Sequence, residues 1–136
     1  MFKFIEVKKM SSIEESIGDK KLQMADIIFQ EVSDAIIITE ANGCIIDVNP
    51  AFEKIMGYSR EEVLGKKPLM FMSENRETSY YHSLWETLST TLRWSGLLTL
   101  KAKSGENNIT KLKVVAVSNR KMQTTHFIGF FSSVES

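Results

Sequence analysis

Between residues 35 and 48 the chain reads A-I-I-I-T-E-A-N-G-C-I-I-D-V, two apolar stretches, Ala35 to Thr39 and Cys44 to Val48, interrupted by Asn42-Gly43. Asn-Gly is the dipeptide that best tolerates the two positive φ angles of a type I′ turn, so the stretches are expected to pair as an antiparallel hairpin. Asn49 then stands at an N-cap position. Pro50 occupies the first helical position, where its missing N–H costs nothing. Phe52, Ile55 and Met56 share one face of a short helix, and Gly57 supplies a left-handed stop. Ser59 opens a second short helix with Glu62 at capping-box spacing, and Gly65 closes it.

Farther along, Tyr81, Leu84, Trp85, Leu88 and Leu92 form one stripe. They predict a helix from an N-cap at Ser73 to Leu92, lying across the sheet. Trp94 to Lys103 alternates, with Trp94, Leu98, Leu100 and Ala102 on one face, and Gly96 allows a close approach to the backbone. A polar turn over 104–108, strands over Ile109–Ser118 and Thr124–Ser132, and a connection from Asn119 to Gln123 complete five antiparallel strands. Ahead of the hairpin, Ser11-Ser12 with Glu14-Glu15 has capping-box form, Gly18-Asp19 interrupts, and Leu22, Ala25, Phe29 and Val32 recur at the helical period. A short helix, a break and a longer amphipathic helix are expected there. No repeat or low-complexity tract is visible.

Composition narrows the possible roles. At 136 residues and 43% apolar content the chain supplies one core. Acidic and basic side chains are equal at 17 each, which removes the electrostatic footprint of a nucleic-acid or anionic-membrane binder. No apolar run is long enough to cross a bilayer, and the N-terminus lacks the apolar stretch of a signal peptide, so a cytoplasmic location is expected. The single cysteine, Cys44, fits a reducing compartment and reads as a core-filling strand residue.

The residues Asp47-Val48-Asn49-Pro50-Ala51-Phe52 and Met56-Gly57-Tyr58-Ser59-Arg60-Glu61-Glu62-Val63-Leu64-Gly65-Lys66 closely resemble the opening of PAS sensory domains, V-N-P-A-F followed by T-G-Y-S-x-E-E-V-L-G-K. Tyr81 to Trp85, Arg93 to Gly96, Lys103 to Gly105 and His126 to Gly129 follow in the family's order. The resemblance implies an α+β PAS fold over residues 27–134. Its five-stranded antiparallel sheet would carry short helices and one long helix on one face, with residues 1–26 as a flanking helical segment. It further implies a non-enzymatic bacterial sensor that binds a small molecule or partner. Such a sensor would form a homodimer through the N-terminal helix and sheet face. It would pass its state to a C-terminal effector, such as a histidine kinase of a two-component system or a cyclic-di-GMP enzyme (diguanylate cyclase). Family members often end the last strand with D-I-T, a hinge to the output helix; Ser133-Val134-Glu135 stands there instead. The alternatives are a purely structural interaction and dimerisation module with a packed core, or an FAD-binding redox sensor.

Candidate chemistry is sparse. His82 and His126 come with no C-x-x-C, phosphate loop, nucleophile elbow or H-E-x-x-H, and both read as partly exposed structural histidines. Pro68 stands where flavin-adduct photosensors carry the cysteine of N-C-R-F-L-Q. Haem-binding members place an axial histidine near the position of Thr78. His82, four residues on, returns to nearly the same helix face. FAD-binding redox sensors resemble Tyr81 to Trp85 and Trp94 to Gly96, yet carry an Asn–Arg pair where Leu100-Lys101 stands, and a leucine cannot pair the polar edge of a flavin. Neither FAD nor haem is favoured, and the cofactor is unknown. The expected site is an apolar pocket bordered by Ile38, Val48, Phe52, Ile55, Met56, Met70, Phe71, Tyr81, Trp85, Leu88, Leu98 and Leu100. Asn49, Tyr58 and Trp94 are its hydrogen-bonding candidates.

Overall fold

The computed structural model describes residues 2–72 and 75–134, with side chains described for 17–72 and 80–134. Two units result, the first ending at Glu31 and the second beginning at Val32. The first is one helix, α1 (Phe2–Glu31). The break expected at Gly18-Asp19 does not occur. A single glycine in a helix interior costs only about 1 kcal/mol against alanine, and the flanking turns carry the helix through it. Ser11-Ser12 therefore lie inside α1 rather than at a start. Ile17, Leu22, Met24, Ile27 and Ile28 along α1 are all exposed.

The second unit contains β1 (Ala35–Glu40), β2 (Ile45–Val48), α2 (Pro50–Met56), α3 (Arg60–Val63), a 3₁₀ turn (Pro68–Phe71), α4 (Asn75–Thr91), β3 (Arg93–Lys101), β4 (Asn107–Ser118) and β5 (Thr124–Ser133). The sheet runs in the order β2-β1-β5-β4-β3, and every pairing is antiparallel. The first and last strands are therefore central neighbours, with Ile37 opposite Gly129. Ala35, Ile37, Leu98, Leu100, Leu112, Val114, Phe127 and Phe131 are buried on the inner face. They pack against Phe52, Met56, Val63, Phe71, Leu84 and Leu88 from the helices. Each of these side chains larger than alanine contributes about 1.5–3 kcal/mol on leaving water, which is what holds sheet and helices together. The expected α+β architecture is the observed one.

All three hairpins close in the same way. In the first, Glu40 N–H donates to Cys44 O at 2.9 Å and Gly43 N–H to Glu40 O at 2.9 Å. In the second, Ala102 N–H donates to Glu106 O and Gly105 N–H to Ala102 O, both at 2.9 Å. In the third, Asn119 N–H reaches Gln123 O at 2.9 Å and Met122 N–H reaches Asn119 O at 3.0 Å. This is the three-residue loop whose last residue is left-handed, with φ of 91° at Gly43, 92° at Gly105 and 63° at Met122. The two-residue type I′ turn expected at Asn42-Gly43 is thereby corrected. Asn42 keeps ordinary backbone, and its side-chain Oδ1 accepts from Cys44 N–H at 2.9 Å. Cys44 is a half-buried loop residue rather than a strand residue.

The caps follow their expected chemistry. Asn49 caps α2, Gly57 stops it at φ 76°, and the Ser59–Glu62 capping box is complete. Ser73 lies outside the described residues. Helix α4 ends at Thr91; Leu92 itself turns left-handed at φ 64° while its N–H still reaches Leu88 O at 3.0 Å.

Candidate functional site

Between the inner face of the sheet and the helices lies a partly open apolar cavity of about 60 Å³. Its floor comes from Ile37 and Thr39 of β1, Phe127, Gly129 and Phe131 of β5, Leu112 and Val114 of β4, and Leu98 and Leu100 of β3. The opposite wall is Pro68, Phe71 and Met72 together with Tyr81, Leu84 and Trp85 of α4. Strand alternation explains the floor, because residues i and i+2 share a face. Tyr81, Leu84 and Trp85 meet the cavity together because three and four residues bring a helix back to the same side.

Aromatic rings fix the wall. Trp85 stands edge-on to Phe127 at 4.9 Å and to Tyr81 at 5.9 Å. The same indole also lies beneath the first hairpin, where a β-carbon built on Gly43 would sit 3.5 Å from Cζ2. Burial pushes the Tyr81 phenol above its ordinary pKa, partly offset by hydrogen bonding from the Trp85 side chain and the Leu69 backbone. Among the described residues no buried side-chain nitrogen or oxygen lacks a partner.

Of the expected pocket residues, Tyr81, Trp85, Leu98 and Leu100 line the cavity, as does Phe71. Val48, Phe52, Met56 and Leu88 are buried in the core, and Ile55, Tyr58 and Met70 pack partly buried against it; none of these lines the cavity. Ile38 belongs to the other face of the sheet, since its neighbours Ile37 and Thr39 face inward. Asn49 is fully committed to the fold. Its Oδ1 accepts from Ile36 N–H at 2.8 Å and Phe52 N–H at 3.0 Å, while its Nδ2 donates to Asp34 O at 3.0 Å. Tyr58 packs on Phe71 at 5.5 Å, and Trp94 stands against Tyr80 at 5.8 Å. The residues missed are those of β1, β4 and β5, with Pro68 and Leu84. For Leu112 and Val114 the alternation K-L-K-V was a usable signal.

The rival chemistries meet this geometry poorly. Leu100, where a flavin's polar edge would need a partner, is a buried wall residue, and Pro68 is a half-buried one. His82 is exposed on α4, so it does not face inward as a haem ligand must. The side chain of Thr78 lies outside those described. His126 is half-buried on β5 with Nδ1 2.9 Å from Thr125 Oγ1. Among the described residues no cluster of His, Cys, Asp and Glu could hold a metal ion, and no helix is long and apolar enough to cross a membrane.

Two exposed ion pairs brace the short helices behind the cavity. Arg60 Nε lies 2.7 Å from Asp47 Oδ1, joining α3 to β2, and Lys103 Nζ lies 2.6 Å from Glu62 Oε2, joining α3 to the second hairpin. Lys103 first, and the Ser59 backbone second, hold the Glu62 carboxyl down at about 2.

A family model described as PAS domain matches residues 33–135, and the chain belongs to that family. The nitrogen fixation regulatory protein of Klebsiella pneumoniae is 28% identical over 100 residues, 74% of this chain and 20% of that protein. A human high affinity cAMP-specific 3′,5′-cyclic phosphodiesterase 8A is 29% identical over 116 residues, 80% of this chain and 14% of its own length. The chain thus spans about a fifth or less of these curated relatives. Among solved structures, the PAS domain of a Colwellia psychrerythraea protein aligns with a TM-score of 0.77 at 24% identity, covering 83% of this chain and 96% of that one. An RNA-binding light-oxygen-voltage receptor aligns with a TM-score of 0.72 at 22% identity, covering 82% and 33%. PAS domains of this kind occur in regulatory proteins, a signal-transduction histidine-protein kinase of Escherichia coli among them.

Proposed function

We infer that this chain is a non-enzymatic sensory module that works as a homodimer in the cytoplasm and transmits a change of state to an effector domain. The observation that carries the reading is the set of exposed apolar side chains on α1, with Ile17, Met24, Ile27 and Ile28 toward one side of the helix, in a chain of the sensory family. A helix with that much unburied apolar surface gains by pairing, and a second copy offers the same surface in complementary form. The relatives' names support a signalling context, with a histidine kinase or a cyclic-nucleotide enzyme as the kind of output. Static and dynamic light scattering test it: a concentration-dependent dimer that Ile28→Glu converts to monomer supports the reading, and a monomer at millimolar concentration overturns it.

A second reading, a packed interaction module without a ligand, is favoured by the small volume of the cavity. Denaturing mass spectrometry of protein purified from its host distinguishes the two. A released small molecule speaks for the sensor, and its absence together with a retained dimer speaks for the module.

A further inference from the structure

We propose that the cavity takes a small, uncharged, apolar guest of about four heavy atoms or fewer, and that Gly129 is the position that keeps the space for it. This rests on reading the domain as a ligand sensor.

Size sets the first limit. The free volume is about 60 Å³, whereas one water needs roughly 10–15 Å³ and an apolar cavity of about 150 Å³ is known to take up benzene or xenon. Drug-sized ligands occupy sites of about 300–1,000 Å³. Xenon, dioxygen or a short hydrocarbon fits; a flavin or haem does not.

Polarity sets the second. Among the described residues, the polar side chains that line the space are Thr39, Tyr81 and Trp85. Thr39 Oγ1 donates to Glu40 O at 2.9 Å, and no buried side-chain atom among the described residues is left waiting for a partner. A guest bringing its own polar groups would shed water without replacement, losing about tenfold or more in affinity for each. An apolar guest loses nothing of that kind.

Gly129 supplies the third argument. It lies at the centre of the sheet, opposite Ile37 on one side and Val114 on the other. Its backbone is not left-handed, and a β-carbon built there would meet only Leu112 Cδ1 at 3.7 Å and Ile37 O at 4.0 Å, ordinary contacts. Neither backbone conformation nor crowding demands glycine. Glycine in a strand interior weakens the strand, so its effect here is to leave open the volume a methyl group would fill.

The test uses the full chain with methyl-labelled Leu and Val, titrated with xenon and followed by methyl NMR. Saturable shifts are expected at Leu84, Leu98, Leu112 and Val114, and Gly129→Ala should weaken the response by at least about tenfold. Leu100→Ala, by enlarging the cavity, should admit benzene where the wild type does not. An absence of xenon shifts at those methyls, an unchanged response in Gly129→Ala, or saturable uptake of FMN or haemin by the wild type would each overturn the proposal. If Leu100→Ala does not fold, the comparison of wild type with Gly129→Ala decides alone. None of these outcomes alters the oligomeric state, so a monomer with a xenon-responsive cavity sinks the dimeric sensor and leaves the guest class standing.

Discussion

The indole of Trp94 lies over Gly96 so closely that a β-carbon on Gly96 would stand 2.9 Å from both Cη2 and Cζ2, and 3.1 Å from the Tyr80 hydroxyl. Residues i and i+2 of a strand share a face, so Gly96 is the place where β3 makes room for its own tryptophan. Gly96→Ala must push the ring away from Tyr80 and is expected to cost about 1–2 kcal/mol, as modest overpacking does. Urea denaturation gives the cost and tryptophan emission the displacement. Gly129→Ala, with no such contact, should stay within about 1 kcal/mol of wild type; equal losses for both would show that glycine is needed at 96 for some other reason.

Asn49 makes three hydrogen bonds from one buried side chain. Asn49→Ala strands the buried N–H groups of Ile36 and Phe52 and removes the cap of α2, for an expected loss of about 3 kcal/mol. Asn49→Asp keeps the acceptor and loses the donor to Asp34, so its loss should be smaller. A midpoint shift of equal size for both variants in denaturant would refute the division of labour.

Met122 occupies in the third hairpin the left-handed place that glycine holds in the other two, and it is 79% exposed. Met122→Gly removes the steric cost of that conformation without losing buried surface and should stabilise the domain by about 0.5–1 kcal/mol. Gly43→Ala at the matching place should destabilise it. Thermal melts of the pair check both signs.

The Glu62 carboxyl titrates at about 2 in the folded chain, against an ordinary 4.5. Because the folded value is depressed, its contribution is complete above pH 4.5 and is lost as pH falls toward 2. Denaturation midpoints measured from pH 7 to pH 2 should therefore fall more steeply for wild type than for Glu62→Gln. Parallel curves would remove Lys103 and Ser59 as the cause.

Local chemistry was legible where one residue dictates one backbone state. Asn49-Pro50, Gly57 and the Ser59–Glu62 box each announced a helix end, and each is found. Facing direction was harder. In Ala35-Ile36-Ile37-Ile38 every position is apolar, so alternation carries no parity and does not tell that Ile37, rather than Ile38, occupies the cavity side. The cavity floor depends on how β5 slots between β1 and β4, a long-range register that no local spacing encodes. Gly18 misled for a different reason: its penalty is real but smaller than what a long helix absorbs.

Asn49 also has a mechanical meaning. Through Nδ2 it holds Asp34, through Oδ1 the first turn of α2 and the start of β1. The stretch by which the chain enters the sheet is therefore anchored to the helical side of the domain at one buried amide. A pull or twist arriving along the backbone at residue 34 meets that amide at the very point where β1 begins to pair with β5.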